Sequence, residues 1–307
     1  MAYAAGFGAV DERLAHAQWW WLAPLFGAVL LAFGGYYFAY RGIAEVEEGP
    51  QIERGSLLAV VIAAFAGVLA HGGTAIDELA MRRGGANQRE ARVRVTALGG
   101  FEHGILAMIV CPASVIAVVL GLSVPQANYT WPWAVIPPLG FAAAIWAAER
   151  YRMRLGGREG WRGRLGLAFD AIHLVWVSLR YPRRHGSAVI GMAVYWAADM
   201  FGLWAATTAF GFRMSPISAV VVLGTGMIFT RRTGPLAGAG YVCVALIASA
   251  WNAAMVPLAA ATLGVMTYRF FTLWLPLPAA LAVLPRLRAL RGQEPEPGRV
   301  AVMFSRT

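Results

Sequence analysis

Apolar runs long enough to cross a lipid bilayer recur along this chain. Residues 20–40, 56–71, 101–122, 132–149, 187–210, 217–230, 237–254 and 257–284 are the candidate spans. Several reach the roughly 20 residues that a helix needs to traverse hydrocarbon. Only 14% of the 307 residues are charged and 59% are apolar, whereas a soluble domain carries about 25% charged residues. The sequence therefore predicts an all-α fold, a polytopic integral membrane helical bundle of about 7–8 spans with re-entrant or broken helices where the runs are short. The expected organisation is an N-terminal segment over 1–18, a single transmembrane domain over 19–285 and a basic tail over 286–307.

The charges fall between the spans. All 26 basic residues are arginine, so phosphate chemistry that depends on a P-loop lysine is excluded. Residues 82–94 carry Arg82, Arg83, Arg89, Arg92 and Arg94, six arginines lie within 150–164, and Arg286, Arg288, Arg291 and Arg299 lie within 286–299. The other connections are acidic (EVEEGPQIE) or uncharged (SVPQANYTWP). The positive-inside rule then puts both ends of the chain in the cytoplasm and Trp131 and Trp133 at the outer interface. The formal charge of +10 reads as topology signal and anionic-lipid contact, not as a nucleic-acid surface. Residues 165–181 sit between two arginine clusters, where an interfacial or re-entrant amphipathic helix fits better than a crossing. The N-terminal run has no small-residue cleavage site and reads as a retained first span. Its polar connections leave no room for an extramembrane catalytic domain.

Two ionisable residues lie well inside spans, Asp199 in AVYWAADMFGLWAA and Arg269 in VMTYRFFTLWLPLP. A charge exposed to lipid costs several kcal/mol, so both mark either a structural pair or a cavity for a polar headgroup, with Arg269 suited to hold phosphate oxygens. Arg231 and Arg232 follow an apolar run of only about 14 residues, short for a crossing, ahead of a Gly/Pro-rich loop (TGPLAGAG). Such breaks line binding sites in transporters; a short tilted span ending in an arginine pair is the alternative. A further polar cluster holds His71, Asp77 and Glu78, with Glu102 and His103 opening the next span. Asp170 and His173, three apart, share a helical face. None of these has metal-ligand spacing, Cys111 and Cys243 form neither a disulfide framework nor a metal motif, and no G-x-S-x-G nucleophile motif occurs. No metal and no cofactor is expected.

The second half, VYWAADMFGLWAATTAFG, then GPLAGAG, then MTYRFFTLWLPLP, resembles the transmembrane region of lysylphosphatidylglycerol synthase, the family that includes the flippase domain of the multiple peptide resistance factor. The family pattern of an intramembrane Asp, a P-x-G-G-x-G-x-x-E-like loop and a Tyr-Arg before Trp-Leu-Pro falls on Asp199, on Pro235 with Gly238 and Gly240, and on Tyr268, Arg269, Trp274 and Pro276. HGGTAIDELAMRRGGANQREARVRVTALGGFEHGILA resembles the segment before the family's third span, so the likeness covers roughly residues 55–285. Two positions depart from it: the loop glutamate falls on Cys243, and a Glu-Arg pair appears as Glu102–His103. The resemblance implies lipid handling, with Asp199, Arg269, Arg231, Arg232, Tyr268, Gly238, Gly240, Asp77, Glu78 and Glu102 lining a headgroup path. The expected partner is a membrane phospholipid or a polyprenyl-phosphate lipid, with self-association left open. The alternatives are a membrane enzyme acting on a lipid phosphate through His71, His103 or His173, and an accessory subunit of an envelope glycolipid pathway.

Overall fold

A computed structural model of the chain describes residues 7–65, 73–122, 127–155, 160–212, 214–233 and 258–292. Among them the secondary structure is helical. Helix α1 (Phe7–Ala15) precedes a short 3-10 turn (Trp19–Trp21) and α2 (Leu22–Ala44). After these come α3 (Arg54–Phe65), α4 (Gly73–Arg83), α5 (Gln88–Val119), α6 (Ala127–Leu155), α7 (Gly160–Arg180) and α8 (Pro182–Ala209). The chain closes with α9 (Pro216–Thr233), α10 (Leu258–Arg269), a π turn (Phe270–Trp274) and α11 (Leu277–Gly292). Among the described residues, five segments are long and apolar enough to cross a membrane: 19–44, 88–119, 130–155, 182–209 and 259–290.

Local sequence sets the ends and breaks of these helices. The Asn87 side chain accepts the Glu90 amide at 2.9 Å, capping α5, and Pro182 starts α8, where its missing N–H costs nothing. The π turn precedes Pro276 and Pro278, which supply no amide to continue the α ladder; the Leu275 amide bonds the Phe270 carbonyl instead.

One end of the bundle is an arginine layer. Arg94 is 4% exposed and donates to the carbonyls of Ile43, Ala44 and Val46 at 2.8–3.2 Å, closing the open end of α2. Arg83 donates to the carbonyls of Ala289 and Leu290 on α11. Arg286 pairs with Glu53 at 3.3 Å, and Arg89 pairs with Asp170 on α7 at 2.8 Å. At the opposite end the Gln18 amide bonds the Ala209 carbonyl at 2.7 Å, and Trp19 packs edge-on against Phe210.

One sequence expectation changes. Of the expected span 56–71, residues 66–71 lie outside the described residues; the Gln51 amide before α3 bonds the Gly84 carbonyl after α4 at 3.1 Å, so the chain leaves and rejoins the arginine layer at one point. The 32 residues between Gln51 and Gly84 would reach only about 48 Å even as continuous helix, too few to cross the roughly 30 Å hydrocarbon core and return. The pair is a re-entrant hairpin. The acidic segment 45–53 consequently lies in the arginine layer and not on the other face. Gly211, just past α8, would bring a β-carbon to within 3.4 Å of Arg13, so within the described bundle α1 sits at the end opposite α11. Helix α7 stays at the arginine layer at both ends, Gly166 against Leu155 and Arg180 at a cleft with Glu45.

The two halves of the bundle mirror each other with inverted direction. In the first, α2 runs toward the arginine layer, α3–α4 dips in from that layer and α5 runs away from it. In the second, α8 runs away from the layer, α9 enters from the opposite end and α10–α11 runs back. The packing repeats this: α3 lies on α11 as α9 lies on α5, while α2 and α8 pair with each other. Their contact is close because Gly35 meets Gly191 and Gly42 meets Ala188; a β-carbon on Gly35 or Gly191 would lie 2.6 Å from the partner backbone.

Candidate functional site

The interior between α2, α5, α8 and α10 holds a column of phenols and carboxylates. At its centre the Tyr268 hydroxyl donates to Asp199 Oδ1 at 2.6 Å. The antiparallel packing of α8 and α10, with Gly264 against Thr207 and Tyr268 against Gly202, sets these residues opposite each other. Arg269 stacks its guanidinium over the Tyr268 ring at 5.5 Å and lies within electrostatic reach of Asp199. One turn earlier on α8, Tyr195 meets Tyr36 of α2 at 5.2 Å between ring centres, with Glu102 and Asp199 in electrostatic reach. Phe65 of α3 packs on Phe33, Tyr36 and Tyr195, so α3 reaches this level. Asp199 and Tyr195 are both partly buried.

Nearer the arginine layer, Tyr40 donates to Asp77 Oδ1 at 3.1 Å. Helix α4 lies outside the five long apolar segments. Burial pushes the Asp77 carboxyl up to about 6, with the Tyr40 bond opposing the rise and the Glu78 charge adding to it. The group therefore takes up a proton as pH falls through that value.

The structure gathers some of the expected residues and separates others. Asp199, Tyr268 and Arg269 meet; Glu102 stands beside them on α5, its carbonyl accepting the Trp196 indole at 2.8 Å. Asp77 lies at the far end of the same column, whereas Glu78 points away to Arg92 at 3.4 Å in the arginine layer. Arg231 and Arg232 fall in the last turns of α9; their side chains, and Gly238, Gly240, Pro235, Cys243 and His71, lie outside the described residues. Tyr36, Tyr40 and Tyr195 were not singled out from sequence. The available signal was spacing: Tyr36 and Tyr40, and Tyr195 and Asp199, are four apart within spans and so share a helix face.

A second polar region lies in the arginine layer, a cleft of about 960 Å³ lined in part by Glu45, Glu47, Glu149, His173, Arg180 and Arg184. His173 meets Glu149 at 2.7 Å, and Asp170, on the same face of α7, pairs with Arg89. Among the described residues no three metal-ligating side chains converge.

No protein-family model matches the chain, and no curated protein and no solved structure matches it. What the fold and site define is therefore a class: a polytopic helical membrane bundle with an enclosed, charged polar centre.

Proposed function

We propose that this chain is a lipid translocator of the cytoplasmic membrane, moving a phospholipid or a polyprenyl-phosphate-linked lipid between leaflets. The observation that carries the reading is the Asp199–Tyr268–Arg269 cluster inside the bundle, where an unused charge is costly to keep. Arg269 suits phosphate oxygens, and Asp199 suits an amine or balances the arginine when no headgroup is bound. An apolar groove of about 300 Å³, lined by Met200, Phe201 and Trp204 of α8 with Ile109 and Val220, lies along the same stretch of helix. Polar centre and apolar groove side by side suit a molecule with a charged head and hydrocarbon tails. The inverted direction of the two halves also suits transporters that alternate access around a central site.

The test is leaflet exchange of labelled lipids in proteoliposomes. Asp199→Asn and Arg269→Ala are each expected to slow exchange about 100-fold, since an unbalanced buried charge costs roughly 3 kcal/mol or more. Failure of well-folded protein to move any phospholipid or polyprenyl phosphate would overturn the reading. A lipid-phosphate enzyme is favoured only by the His173–Glu149 pair; turnover in detergent that disappears in His173→Gln would establish it instead.

By the positive-inside rule the arginine layer faces the cytoplasm, which puts residues 7–18 on the other side. In protein with Cys111 and Cys243 replaced by serine, a cysteine at Ala9 is expected to react with an impermeant maleimide from outside the cell. One at Glu48 is expected to react only after the membrane is opened. Labelling of both from one side would reject this orientation.

A further inference from the structure

We propose that Asp77, Tyr40, Tyr36, Tyr195 and Asp199 form a proton relay connecting the arginine face to the polar centre. The proposal rests on reading Asp199 as the heart of a transport site, and adds that protons are the coupling ion.

Continuity of suitable groups comes first. Asp77 and Tyr40 are hydrogen-bonded at 3.1 Å. Tyr40 and Tyr36 are one turn apart on one face of α2; the rings of Tyr36 and Tyr195 meet across the α2–α8 contact at 5.2 Å between centres; Tyr195 and Asp199 are one turn apart on one face of α8; Asp199 ends on Tyr268 at 2.6 Å. A phenol both accepts and donates, so each can take a proton on its oxygen while releasing its own. Burying phenols is unfavourable unless they are hydrogen-bonded, and apolar packing alone would be served by phenylalanine, as at Phe33 and Phe65 beside them. The α3–α4 hairpin brings Asp77 beneath the arginine layer, within reach of a proton from that side.

The transfer balances without redox chemistry. A protonated Asp77 gives its proton to Tyr40, the shift passes through Tyr36 and Tyr195, and the Asp199 carboxylate takes up the last proton. One proton moves and each phenol is restored. The charged and titratable groups near the path are Glu78, next to Asp77 but turned toward Arg92, Glu102 on α5 near Tyr195, and Tyr268 and Arg269 on α10 beside Asp199. Neutralising Asp199 removes a negative charge from beside Arg269, which favours an anionic phosphate there; loss of the proton expels it.

The test uses the purified full chain. Infrared difference spectra across about pH 4–9, the range bracketing ordinary and raised carboxyl values, should show a protonated-carboxyl band that vanishes in Asp199→Asn. After transfer to deuterium oxide this band should shift quickly in the natural protein, and at least about tenfold more slowly in Tyr195→Phe, Tyr36→Phe and Asp77→Asn, a loss of about 1.4 kcal/mol or more in the barrier. The phenylalanine variants keep the ring packing, and any that fails to fold leaves the other to report. Absence of an Asp199 band at every pH, or exchange unchanged in all folded variants, overturns the relay. In liposomes of phosphatidylcholine and phosphatidylglycerol, one proton per lipid should hold about a tenfold leaflet asymmetry per pH unit. A relay present without lipid movement leaves the relay standing and removes the translocator; lipid movement indifferent to pH does the reverse.

Discussion

Arg94→Ala should cost about 3–5 kcal/mol, enough to remove most folded protein, because it strips a buried guanidinium from four partners at once. The three carbonyls it serves, Ile43, Ala44 and Val46, would lose their donor in a place where little water can replace it. Glu90, paired with it at 2.8 Å, would lose its counter-charge as well. The stability of a whole protein is only about 5–15 kcal/mol. Arg92→Ala, two residues away, is the control: Arg92 is half exposed and 3.4 Å from Glu78, and such pairs contribute less than about 1 kcal/mol. The fraction of protein remaining monodisperse after heating in detergent measures both. Equal losses, or a tolerant Arg94, would show that α2 is closed by other means. Arg94→Lys should fall between, since a point ammonium cannot serve carbonyls and carboxylate with the geometry of a fork.

The second large effect is expected at Gly191. Valine there puts its β-carbon against the Gly35 carbonyl and the Ala39 amide, so α2 and α8 must separate or unwind. Overpacking a tight contact typically costs about 1–3 kcal/mol, and a backbone that cannot move aside puts this case at the top of that range. Gly186→Val, on the same helix but with only an Ile190 methyl at the edge of contact, should be nearly neutral. The crossing also aligns Tyr36 with Tyr195, so weak Gly191 variants that still fold should lose leaflet exchange before they lose stability. If they keep full exchange, the alignment of the tyrosines does not matter for transport.

Apolar length made the helical class and its long spans legible in the sequence. Orientation was less so. Residues 56–71 have the composition of a span, and nothing local reveals that the chain after Arg83 returns to Gln51. That closure depends on backbone groups 33 positions apart. The acidic segment 45–53 accordingly packs among arginines, Glu45 with Arg41 and Glu53 with Arg286. Within the site, Asp199 and Arg269 stood out because charge inside an apolar run is rare, and Tyr268 through the Tyr-Arg pattern of the family resemblance. The tyrosines did not, because a phenol is ordinary in a membrane helix until its partner on another helix is known. Arg94 was hidden among four similar arginines of its segment; only tertiary contact separates the one that closes α2 from those at the surface.

The pairing of α2 with α8 has a consequence for the order in which the molecule can be built. Gly42 and Ala188 touch, yet the ribosome makes one long before the other. At synthesis rates of about 5–20 residues per second, α2 spends on the order of ten seconds in the membrane without its main partner. Its 23 residues are enough to stay there alone, and a face of glycine and alanine leaves lipid tails little to wet badly. The first helix thus serves as a waiting template. Synthesis must reach the second half before the first can close.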